Sequence, residues 1–285
     1  MAAIDSSMLT EIEPKIIAEA TLKVYEFSRL LPLVRVKDTS NQAGLTTTFP
    51  KFPTIVAADV AEAVETPETT VNPDAVEVKV SEKELNVPLT DLAAEAAGEE
   101  EIIAILGTLL GSGMARKMDR DIAATFSQFT KAFGSAGASL AIGSATKAAT
   151  FLDVQEAPGQ MYGALHPYQT PGIKDALTNA FGDGSKNVPS EMKANEIIYA
   201  NYIGTLSGAH FLETPAIQAD GNDDAYGAVF SPLAIGVNLK KLFEFEFERK
   251  GSKRVTHLLA HGMWAAKAIN TEWGAKLLSD CSEPS

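Results

Sequence analysis

The sequence predicts an α+β fold, and three observations carry that prediction. A Pro-free run from Glu99 to Phe133 repeats apolar residues three or four apart, which is helical spacing. Val76 to Val80, Leu85 to Leu89 and Phe243 to Glu248 each alternate apolar with polar side chains, the period of a strand with one buried face. Between two strand-like runs, residues 50–75 carry Pro50, Pro53, Pro67 and Pro73 with many acids and few large apolar groups, too few to bury a core of their own.

Taken in order, residues 1–13 read as a lead-in. Pro14 suits a first helical turn, and Ile16, Ile17, Ala20, Val24, Phe27 and Leu31 follow at helical spacing until Pro32. Thr46 to Phe49 reads as a strand, and Val76 to Leu89 as its return, so that residues 46–90 make a two-stranded finger. Such a hairpin is marginal alone and needs a surface to lie on. The helix that follows, from Glu99 to about Lys131, would be about 50 Å long. Its apolar stripe drifts: Ile102, Leu106, Leu109 and Gly113 keep one face that continues into Arg116, Lys117 and Arg120, whereas Met114, Met118, Ile122 and Phe126 advance by fours. Each step of four turns the stripe by about 40°, so the two ends are expected to pack against different things, with the charged midsection Arg116–Asp121 between them.

Residues 134–148 read as a small-residue connector. Thr170 and Pro171 start a helix whose apolar face runs to Phe181. A loop over 182–189, a helix over 191–200, a broken strand from Tyr202 to Leu212 and an acidic loop from Ala219 to Asp224 are expected next. Ser231 and Pro232 cap a short helix to about Val237. Phe243, Phe245 and Phe247 then alternate with glutamates, a turn at 250–253 leads to a strand from Arg254 to Ala266, and Glu272 to Leu278 closes the pattern.

The composition narrows the function. Net charge is -13, with 45% apolar and 21% charged residues, which describes a globular chain without a dedicated nucleic-acid grip. The N-terminal residues lack the pattern of an ordinary signal peptide, and the most apolar run, Ile102 to Ala115, is too short to cross a bilayer. Cys281 is the only cysteine, so no intrachain disulfide forms. A soluble protein made in a reducing cytoplasm is expected, with no cofactor and no metal.

Catalytic signatures fail individually. Gly111, Gly113 and Arg116 imitate a dinucleotide loop but lie inside a helix. Gly137, Gly143 and Ser144 lack the Gly-Lys-Ser/Thr ending of a phosphate loop, since Lys147 comes too late. His257 and His261 are four apart but on a strand, without the glutamate of a zinc protease. His166 has no evident partner as a base, no Gly-x-Ser-x-Gly elbow occurs, and the acid pairs Asp119/Asp121 and Asp223/Asp224 read as solvated or salt-bridged.

The order of elements resembles the major capsid proteins of tailed bacteriophages, the Hong Kong 97 type. Asn86-Val-Pro-Leu-Thr-Asp91 leading into the long helix, with Ala115 to Ala123 inside it, is similar to the family's extended loop and spine helix. Leu165-His-Pro-Tyr-Gln169 is similar to the start of its axial domain, and Gly221 to Leu278, with Gly227-Ala-Val-Phe230, Gly251-Ser-Lys-Arg254 and His261-Gly-Met-Trp264, follows its closing order. The resemblance implies an N-terminal arm over 1–45, an extended loop over 46–90, a peripheral domain over 91–150 with its spine helix at about 99–131, an axial domain over 151–250, and a peripheral closing part over 251–285.

The same resemblance implies a shell protein, not an enzyme, that assembles into hexamers and pentamers enclosing double-stranded DNA in the virion, assembled in the host cytoplasm. Its partners would be neighbouring capsomers, a separate scaffolding protein, a portal, a decoration protein as a further candidate, and packaged DNA in weak non-specific contact. No membrane is involved. The residues expected at contacts between subunits are Lys51, Phe52, Glu77, Lys79, Lys83, Arg116, Lys117, Asp119, Arg120 and Asp121. An encapsulin-type cellular shell and a soluble enzyme with a dispersed site are the competing readings.

Overall fold

A computed structural model of the protein describes residues 27–51, 74–90, 99–182 and 204–283, together with positions 15, 16, 18–20, 22, 23, 57 and 59. The long helix is present as α1 (Glu99–Ala124), about 39 Å of rise. It stops seven residues before the expected end. The hydroxyl of Thr125 donates to the Ile122 carbonyl at 2.7 Å and that of Ser127 to Ala124 at 2.9 Å, competing for the last helical acceptors as the chain tightens into a 3-10 turn over Thr125–Gln128. Phe126 and Phe129 are then buried, and Lys131–Gly134 leaves as a strand.

The stripe does pack against two different things. Leu106 and Leu110 lie in a cluster with Ile16, Ala20, Leu258 and Ala260, whereas Met114, Met118, Ile122 and Phe126 lie in a larger one with Leu30, Leu31, Phe230, Val237 and Trp264. Leu85 touches both. One assignment changes: Leu109 is half exposed, and the advance by fours already begins at Leu106. The side chain of Ile102 lies outside the described residues.

Strands β1 (Arg35–Asp38), β2 (Thr46–Lys51), β3 (Asp74–Lys79) and β4 (Ser81–Thr90) precede α1. The expected finger is therefore two structures. β2 pairs with β3, but at Val80, whose amide donates to the Leu45 carbonyl, the chain changes partner and β4 runs antiparallel to β11 (Val255–Ala268) along its whole length. The β2–β3 pair lies on the body through its own Phe49 and Val78, which pack against Ile269 and Ala265. Phe52 and the rest of the loop up to residue 73 lie outside the described residues, apart from positions 57 and 59.

A four-stranded sheet has the order β1-β10-β11-β4, with β10 spanning Ile235–Lys250. A six-stranded sheet has the order β5-β12-β9-β6-β8-β7, built from β5 (Lys131–Gly134), β6 (Tyr162–Leu165), β7 (Gly204–Leu206), β8 (Ala209–Glu213), β9 (Asp224–Phe230) and β12 (Gly274–Asp280). The hairpin β10–β11 crosses residue 250, and β12 joins the strands of the six-stranded sheet. Sheet membership thus divides the chain near residues 130, 235 and 270 and not at 150 and 250.

The segment read as a connector ends inside α2 (Ile142–Val154), whose Ala145, Ala148, Ala149 and Leu152 are fully buried against the six-stranded sheet. Helix α3 (Pro171–Gly182) begins where Thr170 and Pro171 predict. After the Ser231 cap the helical turn lasts only through Ala234, because Ile235 and Val237 already pair with Ala268 and Ala266 in the sheet. Residues 183–203, including the expected helix over 191–200, and the side chains of Phe243, Phe245 and Phe247 lie outside the described residues.

Candidate assembly surfaces

Asp119 is the hub of the charged midsection. Its carboxylate is 4% exposed and accepts three hydrogen bonds, from the Ser28 hydroxyl (2.6 Å), the Arg29 amide (2.8 Å) and the Leu30 amide (3.2 Å). Two of these are backbone donors freed where the N-terminal helical segment ends, so an acid of α1 fixes the point at which the arm meets the body. That segment lies across α1 over two glycines: a Cβ on Gly107 would stand 2.8 Å from Glu19 Cγ, and one on Gly111 would stand 2.5 Å from the Ala20 carbonyl oxygen. The glycines that imitate a phosphate loop are therefore a seat for another helix.

Asp121 works in the other direction, towards the strands. It pairs with Lys117 at 2.6 Å, faces Lys83 of β4 at 4.0 Å and accepts the Trp264 indole N–H at 3.1 Å. Both aspartates thus make contacts inside the chain, to the arm and to β4 and β11. Arg116, Lys117 and Arg120 are exposed. Glu77 and Lys79 point outward from β3, and Lys83 is half-buried. Lys51 lines a small cavity of about 100 Å³ with Arg35, Pro50, Ile269 and Trp273.

A larger cavity, about 390 Å³, lies beside Asp119 and is lined by Phe27, Arg29, Arg116, Arg120 and Thr214 to Ala216. Arg29 is held there by its guanidinium, which donates to the Glu213 carbonyl at 2.9 Å. Arg29 escapes sequence reading because nothing in the spacing tells that residue 29 meets residues 116 and 120.

The histidines and the cysteine have structural partners. His257 bonds Asn86 and His261 bonds Glu244. Four residues along a strand separate them by about 13 Å, too far to share a metal ion. Among the described residues no three His, Cys, Asp or Glu side chains converge. His166 caps the turn Pro167–Gln169 by accepting the Tyr168 amide at Nδ1 (3.1 Å), and burial lowers its pKa. The Cys281 thiol lies 2.9 Å from the same nitrogen. Burial, with Asp280 and Asp223 nearby, pushes that thiol up to about 11, so it holds its proton at neutral pH and is no nucleophile.

No family model and no curated protein matches the sequence. Solved structures do match. The capsid structure of cyanophage P-SCSP1u shares 13% identity over 88% of this chain and 87% of that one, with a TM-score of 0.63. A Mycobacterium phage Che8 structure shares 18% over 82% and 85%, at 0.61. The mature capsid of bacteriophage PhiM1 shares 11% over 90% and 88%, at 0.62. The chain has the fold of tailed-phage capsid proteins.

Proposed function

We propose that this chain is the major capsid protein of a tailed bacteriophage, assembling as hexamers and pentamers into an icosahedral shell around double-stranded DNA. The observation that carries the reading is the match in fold to capsid proteins along almost the full length of both chains, 88% and 87% with the cyanophage capsid. In this reading α1 with the four-stranded sheet is the peripheral part, the six-stranded sheet with α2 and α3 is the axial part, and the residues up to about 45 are the arm. Lys51, Phe52, Glu77, Lys79, Lys83, Arg116, Lys117 and Arg120 are its candidate contacts between subunits, while Asp119 and Asp121 brace the elements that carry them. A net charge of -13 suits a container, because packaged DNA then meets a wall that does not grip it. Scaffolding protein, portal and decoration protein belong to the same reading, as does assembly in the host cytoplasm.

Sedimentation of the expressed protein tests it, with a loop deletion as the informative variant. Deleting residues 46–90 would strip β4, the edge strand paired with β11 along its whole length, and uncover the core face beneath it. Replacing only residues 53–72 by a short turn spares the paired strands. The full chain is expected to sediment as megadalton particles and the loop variant as folded subunits or capsomers. Normal particles from the loop variant contradict the role of the loop, and a full chain that stays monomeric contradicts the function.

A further inference from the structure

On α1, Ile105, Leu109, Ser112, Arg116 and Arg120 fall within about 80° of azimuth at 100° per residue, so they form one face. That face is outward: Ile105 is 54% and Leu109 50% exposed, and Arg116 and Arg120 are exposed beyond them. Its basic end opens on the cavity that Arg29 closes from the other side. The sequence contains six arginines, and three of them surround this one cavity. Among the described residues no carboxylate makes an ion pair with any of the three. Asp119 shares the lining, but its oxygens are occupied by Ser28 and the amides of Arg29 and Leu30.

We infer that the Ile105–Arg120 face of α1, with its arginine cavity, docks a second copy of this chain, which places an acidic side chain among Arg29, Arg116 and Arg120. The inference rests on the self-assembly proposed above and names the contact. A planar guanidinium takes a carboxylate through two parallel hydrogen bonds, and a chain with 37 acids against 24 bases has carboxylates in excess to offer to a copy of itself. Exposed Ile and Leu running into arginine is also the composition of a protein interface, with an apolar anchor beside the residue type enriched at energetic hot spots. A free phosphate would use the arginines and leave Ile105 and Leu109 without a role. Thr214 to Ala216 supply a further part of the cavity wall, next to Glu213, whose backbone carbonyl accepts from Arg29.

Carbodiimide coupling joins lysine amines, but not guanidiniums, to carboxylates in contact. Particles would be assembled from an equal mixture of ¹⁴N and ¹⁵N protein carrying R116K or R120K, coupled, digested and analysed by mass spectrometry. The expected result is a mixed-isotope peptide pair from position 116 or 120 to an acid of another copy, absent from wild-type particles. In parallel, R116E/R120E is expected to keep the wild-type circular dichroism spectrum and to lose about tenfold or more of its particle fraction. Wild-type particles accompanied by only same-isotope links to Asp119 or Asp121, and by normal R116E/R120E particles, overturn this inference alone. A wild-type chain that forms no particles overturns the self-assembly reading and this inference together.

Discussion

Asp119 shows how one residue joins parts of the chain that sequence spacing cannot connect. Its three acceptor contacts reach Ser28, Arg29 and Leu30, about ninety positions away. Removing a buried carboxylate with three partners leaves those donors unpaired, so D119A is expected to lose about 3 kcal/mol in urea unfolding of the unassembled subunit. A loss below about 0.5 kcal/mol would contradict the role of hub. Two partly buried titrating groups contribute to the pH dependence, beside the exposed carboxylates of Asp38, Glu244 and Asp280, which hydrogen bonds hold below their ordinary values. His166 has a folded pKa below its usual 6.5, so its stabilising contribution is complete above that value and is lost as pH falls through the lowered one. Cys281 is raised from 9.0 to about 11, so its contribution is complete below 9 and is lost as pH rises towards 11. Thermal scans should therefore show both an acid and an alkaline slope, the first reduced in H166N and the second in C281A; slopes that ignore these changes would place the titration elsewhere. The polar band Arg116–Asp121 is legible in the sequence, as are the histidines' failure to make a metal pair. Which aspartate turns inward is not, because spacing gives an azimuth on a helix and not the partner waiting there.

At the scale of elements, the drift of the α1 stripe predicts two packing environments, and both exist. What the stripe could not reveal was its outer face. Leu109 looks like core by type and lies exposed, because Leu106 and Leu110 already fill the inner side. Helix α2 was hidden for the opposite reason. Its buried residues Ala145, Ala148 and Ala149 are at helical spacing, yet alanine is small enough that a core face reads as a linker among Gly, Ser and Thr. The break at Val80 shows in the sequence only as a change of phase, since the apolar positions are even at Val76, Val78 and Val80 and odd at Leu85, Val87 and Leu89, and the period alone does not tell that the partner changes. Two glycines separate packing from propensity. Gly111 lies against the Ala20 carbonyl, so G111V should separate the N-terminal segment from α1, cost about 2 kcal/mol and speed proteolysis near residues 15–23. Gly143, in α2, has open space where a Cβ would be, so G143A should gain about 0.5–1 kcal/mol. Equal effects from the two substitutions would remove the argument for a glycine seat.

At the scale of the molecule, the two sheets share one core through α1, and the chain passes between them once through α1 and twice after it. That interleaving is why sheet membership is not legible from position along the chain: a strand's sheet is set by its partner, and β12 pairs with β5 and β9 from far upstream. The order of elements was legible, and with it the fold, because a long helix following a loop too apolar-poor to fold alone is a rare sequence of parts. Among the described residues the outer face of α1 is uncovered and no carboxylate pairs with the arginines of its cavity, which suits contact with repeated copies. Electron cryomicroscopy of the protein expressed alone or with a candidate scaffolding protein tests that claim most directly. Closed icosahedral shells, with five- and sixfold clusters in which α1 spans each subunit, are the predicted result; a homogeneous monomer or small oligomer under both conditions would contradict it.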